Sequence, residues 1–275
     1  MWKKKIVSTY HGIYYEESSL MQAPHIFIPF LIADIIYRKC SDVIISPNSY
    51  LLRRLKILVK NKVIPNPFNS QISDYRSNHN VMQSSREIVL ITASNFDIKK
   101  KSDALCLLLD AMDSVEKKYQ HVRLLVFGDG VNLNILKTKY SEKKNITFMG
   151  FRQDFRNFLR DSDAYVHISG LDVQPYSVIE AMMLGKVILC NDIGSLVEMV
   201  DPSNNYIVSL ETESIVKGMF SLIDEIQNKN ESIREKGERN RRFTIEKYST
   251  EVIATKYLAL YGDILEKAPK VETNL

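Results

Sequence analysis

Residues 171–200, LDVQPYSVIEAMMLGKVILCNDIGSLVEMV, begin with a pair of carboxylates, Asp172 and Glu180, with seven residues between them. Pro175 sits where the first turn of a helix tolerates proline best, and the spacing predicts a helix over 176–184 that Gly185 stops. The backbone N–H groups at Tyr176 and Ser177 then have no partner inside the helix and face the ends of the neighbouring strands. A helix N-terminus of this kind attracts anions, each charge contributing about 0.3–1 kcal/mol and up to about 2 kcal/mol when partly buried. Glu180, a little over one turn along, reaches past the anion toward a polar group such as a ribose hydroxyl, and Asp172 at the helix mouth faces the other end of the same ligand. Carboxylates on both sides of an anion site suit a phosphorylated sugar. The plainer alternatives are a solvated helix carboxylate at Glu180 and a helix-capping aspartate at Asp172.

The elements that must position this helix alternate regularly from about residue 86 onward. Nearly continuous apolar runs at 88–94, 123–128, 145–150, 164–169, 187–191 and 206–209 read as strands buried on both faces. Helical stretches at 103–118, 133–143, 154–160, 176–184, 196–200 and 212–228 separate and follow them. Strands alternating with helices imply an α/β domain with a parallel, doubly wound sheet. Ligands of such sheets sit outside the carboxyl ends of the strands, which directs attention to the positions after Ser94, Gly128, Gly150, Ser169 and Asn191. The first 85 residues are less regular: a strand entering a loop at 4–12, a helix at 30–38, a strand at 41–48 and a basic helix at 49–60. Residues 65–87, rich in Ser and Asn, read as an interdomain linker. Charged helical segments follow at 231–243 and 250–265, the second amphipathic.

The chain has 275 residues and a net charge of +4, a balance that suits an anionic ligand or an acidic membrane surface and is too weak to argue for nucleic acid. Cys40, Cys106 and Cys190 are widely spaced with no partner motif, which reads as free thiols filling core space in a reducing, cytoplasmic setting. The longest apolar run, residues 25–36, is a dozen residues interrupted by Asp34, too short for a membrane span; nothing resembles a signal-peptide cleavage site. Asp161-Ser162-Asp163 precedes a strand instead of following one, so it is not read as a metal site. Gly128-Asp129-Gly130 lacks the third glycine of a dinucleotide fingerprint, with Leu133 in its place. No metal and no cofactor are expected. Arg53, Arg54, Lys56, Lys60, Lys62, Arg239, Arg241 and Arg242 read as solvated faces, with peripheral contact to anionic lipid as the alternative.

The stretch around Asp172-x7-Glu180, with Ala181 to Lys186 and Ile193-Gly194-x-x-x-Glu198, resembles the acidic-x7-Glu signature of the retaining group-1 (family 4) glycosyltransferases. The resemblance implies a GT-B type fold with a complete C-terminal Rossmann-like domain. In that family the first acidic residue faces the donor sugar and the second binds the nucleotide ribose. Asp172 stands where a Glu is usual. Ser94-Asn95-Phe96 with Lys100 is similar to the loop that grips the donor diphosphate, although many members carry Arg where this chain has Asn95; Lys99 or Lys101 can compensate. Gly128 and Gly130 match the Gly-x-Gly near the nucleotide base. Phe148-Met149-Gly150, Asp163 to Val166 and Val63 to Pro67 are further matches. Tyr10-His11-Gly12 resembles a loop whose His lies against the donor sugar, and the last helix resembles the one that crosses back onto the first domain.

The resemblance implies three segments: a partial N-terminal, acceptor-side Rossmann-like domain and linker at 1–85, a nucleotide-sugar-binding domain at 86–246, and a returning helix at 247–275. The opening βαβ units of the family are not matched, so the chain is read as a fragment, as completed by a partner chain, or as catalytically impaired. The implied reaction moves a hexosyl group from a UDP- or GDP-sugar to a lipid or saccharide acceptor with retention of configuration and without metal, as in polysaccharide or glycolipid biosynthesis. Asp172 and His11 are its catalytic candidates; Glu180, Lys100, Asn95, Gly128, Gly130, Tyr176 and Ser177 are its substrate-binding candidates. The rival is a nucleotide-sugar-binding or partner subunit without turnover. A GT-B sugar epimerase fits the fold but matches the motif less well.

Overall fold

A computed structural model of the chain describes residues 5–12, 24–58, 60–69 and 87–266, with side chains of 24–31 excepted. The chain divides into two compact units, Met1–Asn69 with Glu246–Leu275, and Ser70–Ile245.

The larger unit is built on a six-stranded, wholly parallel sheet. Its strands, continuing the numbering from the first unit, are β4 (Ile88–Ala93), β5 (Val122–Phe127), β6 (Ile146–Gly150), β7 (Ala164–His167), β8 (Val187–Asn191) and β9 (Tyr206–Val208). The helices between and after them are α3 (Lys99–Lys118), α4 (Leu133–Lys139), α5 (Phe155–Asp161), α6 (Tyr176–Met183), α7 (Gly194–Met199), α8 (Thr212–Asn228) and α9 (Asn230–Tyr248). The strand order β6-β5-β4-β7-β8-β9 shows the chain winding outward from β4 to one edge, then returning to β7 and winding to the other. The order reverses between β4 and β7, and that is the crevice where such sheets bind ligands. The expected α/β fold is the observed one.

β7 and β8 are buried along their whole length, as the apolar runs required. Leu105, Leu108, Leu109, Met112 and Val115 of α3 join Ile215, Met219, Leu222 and Ile223 of α8 over Leu90, Leu124, Val166 and Leu189 of the sheet, forming one contiguous core. α6 packs against β7 and β8. It ends where the sequence said it would. The Gly185 and Lys186 N–H groups donate to the carbonyls of Met182 and Ala181, a Schellman closure with Gly185 at φ 72°.

The smaller unit carries a three-stranded parallel sheet, β1 (Val7–Thr9), β2 (Val43–Ser46) and β3 (Asn61–Val63), in that order. α1 (Pro24–Cys40) and α2 (Ser49–Arg54) connect its strands. Ile253, Leu260 and Ile264 of the last helix, α10 (Thr250–Glu266), pack on Ile45 and Ile64, so the amphipathic stripe read from the sequence covers this sheet.

Several expectations need correction. The basic helix expected over 49–60 stops at Arg54, because Lys56 and Lys60 both take left-handed backbone conformations, with φ 55° and 56°. α3 begins at Lys99, earlier than expected, so all three lysines lie in its first turn. Cys40 is exposed and does not fill core space; Cys190 does, and burial, aided by the nearby Asp192 charge, pushes its thiol up to about 12. Most of the linker expected at 65–87 lies outside the described residues.

Candidate functional site

The site is built at the carboxyl ends of β4 and β7. Tyr165 and His167 project from β7, stacked with ring centroids 6.0 Å apart. The Tyr165 hydroxyl accepts the Ala93 N–H at 3.2 Å and lies 3.4 Å from His167 Nδ1. His167 Nε2 lies 2.9 Å from Asp172 Oδ2, while Lys101 Nζ donates to Asp172 Oδ1 at 2.7 Å. The side chains of His167 and Asp172 are each 6% exposed and that of Lys101 18%. Burial opposes the charge on Asp172, but the His167 hydrogen bond and the Lys101 ammonium outweigh it and hold the carboxyl well below the usual carboxylate range.

The loop carrying Asp172 is held from beneath. Ser195 Oγ donates to the Asp172 carbonyl at 2.6 Å, and the Asn191 side chain brackets Ser169, accepting its N–H at 2.9 Å and donating to its carbonyl at 3.0 Å. Pro175 caps α6 in an extended conformation and offers the helix's first amides no side-chain hydrogen bond of its own. Tyr176 is about half exposed at this end. Burial raises the Tyr165 hydroxyl well above its usual value, and the charges of Asp172 and Glu180 push the same way.

Glu180 takes the guanidinium of Arg156, on the first turn of α5: Nε and Nη2 donate to Oε1 at 3.0 and 2.7 Å. Lys99 pairs with Asp103 in solvent, and Lys100 is exposed in the same turn. It is Lys101 that reaches the Asp172 loop.

A cavity of about 670 Å³ opens at the ends of β4, β5 and β6, lined among others by Ser94, Asn95, Asp97, Gly128, Gly130 and Phe151. Its lining stops short of Asp172, Glu180 and Tyr176. Gly128 and Gly130 have φ 124° and 140°, and a Cβ on either would strike backbone: Ser94 O at 1.9 Å from the first, Asp97 N at 2.4 Å from the second. Only glycine fits. The carboxylates of Asp97 and Asp129 serve the loop itself, accepting the N–H of Val131 at 2.9 Å and of Gly130 at 2.8 Å. Asn95 does likewise, its Oδ1 accepting the Asp97 N–H at 2.8 Å.

His11 belongs to the smaller unit, exposed, with Nδ1 3.0 Å from Asn66 Oδ1. The structure thus groups Asp172, Glu180, Tyr176 and Ser177 around α6, and Asn95, Gly128 and Gly130 around the cavity. No group of His, Cys, Asp and Glu able to hold a metal occurs among the described residues. No helix among them is long and apolar enough to cross a membrane. Neither His167 nor Arg156, which hold the two motif carboxylates here, was singled out from the sequence. His167 carried one signal: it closes a strand five residues before the motif aspartate.

The profile of the glycosyl transferases group 1 family matches residues 87–225, half of the chain. The chain belongs to that family. It is similar to the O-antigen biosynthesis glycosyltransferase WbnH of Escherichia coli, 29% identical over 137 residues covering 50% of this chain and 38% of the relative. It is also similar to the poly(ribitol-phosphate) alpha-N-acetylglucosaminyltransferase of Staphylococcus aureus (strain COL), 28% identical over 161 residues covering 57% and 32%. With the N-acetyl-alpha-D-glucosaminyl L-malate synthase of Bacillus anthracis it shares 24% identity over 242 residues, 82% of this chain and 60% of that one. The chain thus spans from about a third to 60% of the length of these curated relatives. Anabaena Alr3699/HepE, solved with UDP and glucose, superposes with a TM-score of 0.72 at 16% identity, covering 94% of this chain and 72% of that one. Sucrose-phosphate synthase of Thermosynechococcus elongatus gives 0.73 at 18% identity, covering 94% and 68%. These likenesses establish the GT-B fold class.

Proposed function

We propose that the chain provides the nucleotide-sugar-binding part of a retaining glycosyltransferase of the family 4 kind, taking a hexosyl group from a UDP- or GDP-sugar. The observation that carries this reading is the mouth of α6, where the N-cap Pro175 supplies no side-chain hydrogen bond, beside the Asp172 loop at the reversal of strand order, with Glu180 on the same helix. Family membership and the names of the relatives support it.

In this reading the donor diphosphate rests on the Tyr176 and Ser177 amides with Lys100 beside it. Glu180 exchanges Arg156 for the ribose hydroxyls. The base enters the cavity between Asn95 and the Gly128–Gly130 turn, and Asp172 holds hydroxyls of the sugar. The bond from sugar C1 to the phosphate oxygen breaks, and the acceptor oxygen forms its bond to C1 on the same face. The acceptor's proton passes to the departing diphosphate, so a glycoside and a nucleoside diphosphate leave. The amides and lysine stabilise the charge developing on the leaving group, aimed before the reaction begins. His11 keeps the sugar-facing role only as the resemblance implies it, and a saccharide or lipid acceptor is part of the same proposal.

A second reading, donor binding without turnover, is favoured by one observation: both oxygens of Asp172 already have protein partners. The experiment that separates the two incubates the full chain with UDP-glucose, UDP-N-acetylglucosamine and GDP-mannose, with and without a lipid extract. Released nucleoside diphosphate is measured, and the anomeric configuration of the product is read by NMR. Retained configuration supports the first reading. Donor binding with no release favours the second, and an inverted product removes the retaining mechanism.

A further inference from the structure

We propose that Lys101 and His167 are positioning residues for Asp172: each occupies one lone pair on one carboxylate oxygen and so aims the remaining pair on each oxygen at the hydroxyls of the donor sugar. The inference deepens the reading above and rests on it for the identity of the ligand, but the arrangement itself is visible without any ligand.

An ionised carboxylate offers about four acceptor positions, two per oxygen. Lys101 takes one at 2.7 Å and His167 one at 2.9 Å, on different oxygens, so neither is saturated. Lys101 is drawn in while its neighbours stay out. Lys99 stands in solvent against Asp103 and Lys100 is exposed. Ordering a lysine side chain costs rotamer freedom, which the nearly buried charge of Asp172 offsets. Gly170 allows the approach: the loop after β7 lies so close to the start of α3 that a Cβ there would meet the Lys100 carbonyl oxygen at 2.6 Å.

His167 is itself held. The Tyr165 hydroxyl accepts the Ala93 N–H at 3.2 Å and lies 3.4 Å from His167 Nδ1, and because the ionised Asp172 can only accept, the bond to it places a proton on His167 Nε2. A continuous polar chain therefore runs from the end of β4 through Tyr165, His167 and Asp172 to Lys101 at the start of α3. A buried network with every member satisfied fixes one geometry, whereas a gap in it leaves a costly unpaired group. The charged and titratable groups bearing on Asp172 are Lys101 from α3 and His167 from β7. Tyr165 of β7 touches His167, and the charge of Glu180 on α6 acts on Tyr165.

The test uses the full chain in two measurements. In the first, carbon NMR of the Asp172 carboxyl is followed against pH without ligand. The wild type stays ionised below the usual carboxylate range, Lys101→Met raises the midpoint by at least about one unit, and Lys101→Arg restores it. In the second, calorimetry compares UDP-glucose with UDP, the difference isolating the sugar. Lys101→Met and His167→Leu each lose about tenfold in UDP-glucose affinity. UDP affinity is held in His167→Leu, and His167→Gln, whose amide N–H reaches the same oxygen, recovers most of the loss. An Asp172 midpoint unmoved in a folded Lys101→Met protein overturns the positioning role. A shifted midpoint together with no binding of either ligand by the wild type leaves the positioning intact and overturns the donor-site reading instead.

Discussion

Asp172 is 6% exposed and has a lysine and a histidine on separate oxygens, whereas Glu180, eight residues on, keeps a single guanidinium on one oxygen, from an arginine that is 46% exposed. Both border the same helix mouth. The first carboxylate is built into the fold: its charge is already balanced, and its hydrogen bonds tie three elements together. The second is lightly held by a mobile type of side chain in contact with water, so a ligand hydroxyl can displace its partner at small cost. Two residues of one motif can thus divide the work. In the proposed donor site, one is placed in advance and the other is released on binding.

The largest expected effect follows from removing the built-in carboxylate. Asp172→Ala strands Lys101 in a mostly buried position, and loss of one partner of a buried pair costs about 3–5 kcal/mol. Urea unfolding of Asp172→Ala and Asp172→Asn measures it, and a loss below about 1 kcal/mol would erase the contrast with Glu180. Acid sharpens the same point. Because the folded carboxyl lies below its unfolded value of about 3.9, its contribution is complete above that pH and drains away as the pH falls further. Stability of the wild type measured from pH 6 to pH 2.5 should therefore fall more steeply than that of Asp172→Asn. Equal slopes would mean that Asp172 is not the group held ionised.

Smaller effects are expected at the other end. Glu180→Gln should change unfolding free energy by no more than about 1 kcal/mol, the worth of a partly exposed pair. Arg156→Ala should be smaller still in stability, and it should leave UDP affinity undiminished because it frees Glu180. A marked loss of UDP affinity in Arg156→Ala would show that the guanidinium belongs to the ligand site and not to the resting state.

The sheet was legible because both-face burial leaves a mark in the sequence: Val187 to Asn191 and Ala164 to His167 are apolar runs that only an interior strand tolerates. The end of α6 was legible too, since Gly185 takes a conformation that other residues resist. The Asp172–Lys101 pair was not, for it joins positions 71 residues apart through rotamers that spacing does not encode. Three adjacent lysines look alike in sequence; only the helical turn they begin decides which one points inward. The end of α2 was missed for a related reason. Residues 53–60 carry helix-favouring lysines and arginines, and the left-handed turns at Lys56 and Lys60 leave no glycine to announce them.

The most direct test of the account is calorimetric titration of the full chain with UDP and with GDP, in the wild type and in Glu180→Gln. The account predicts binding of one of the two nucleotides by the wild type, weakened about tenfold when Glu180 loses its charge while the protein stays folded. Equal affinity in the two proteins, or no binding of either nucleotide by the wild type, would contradict it.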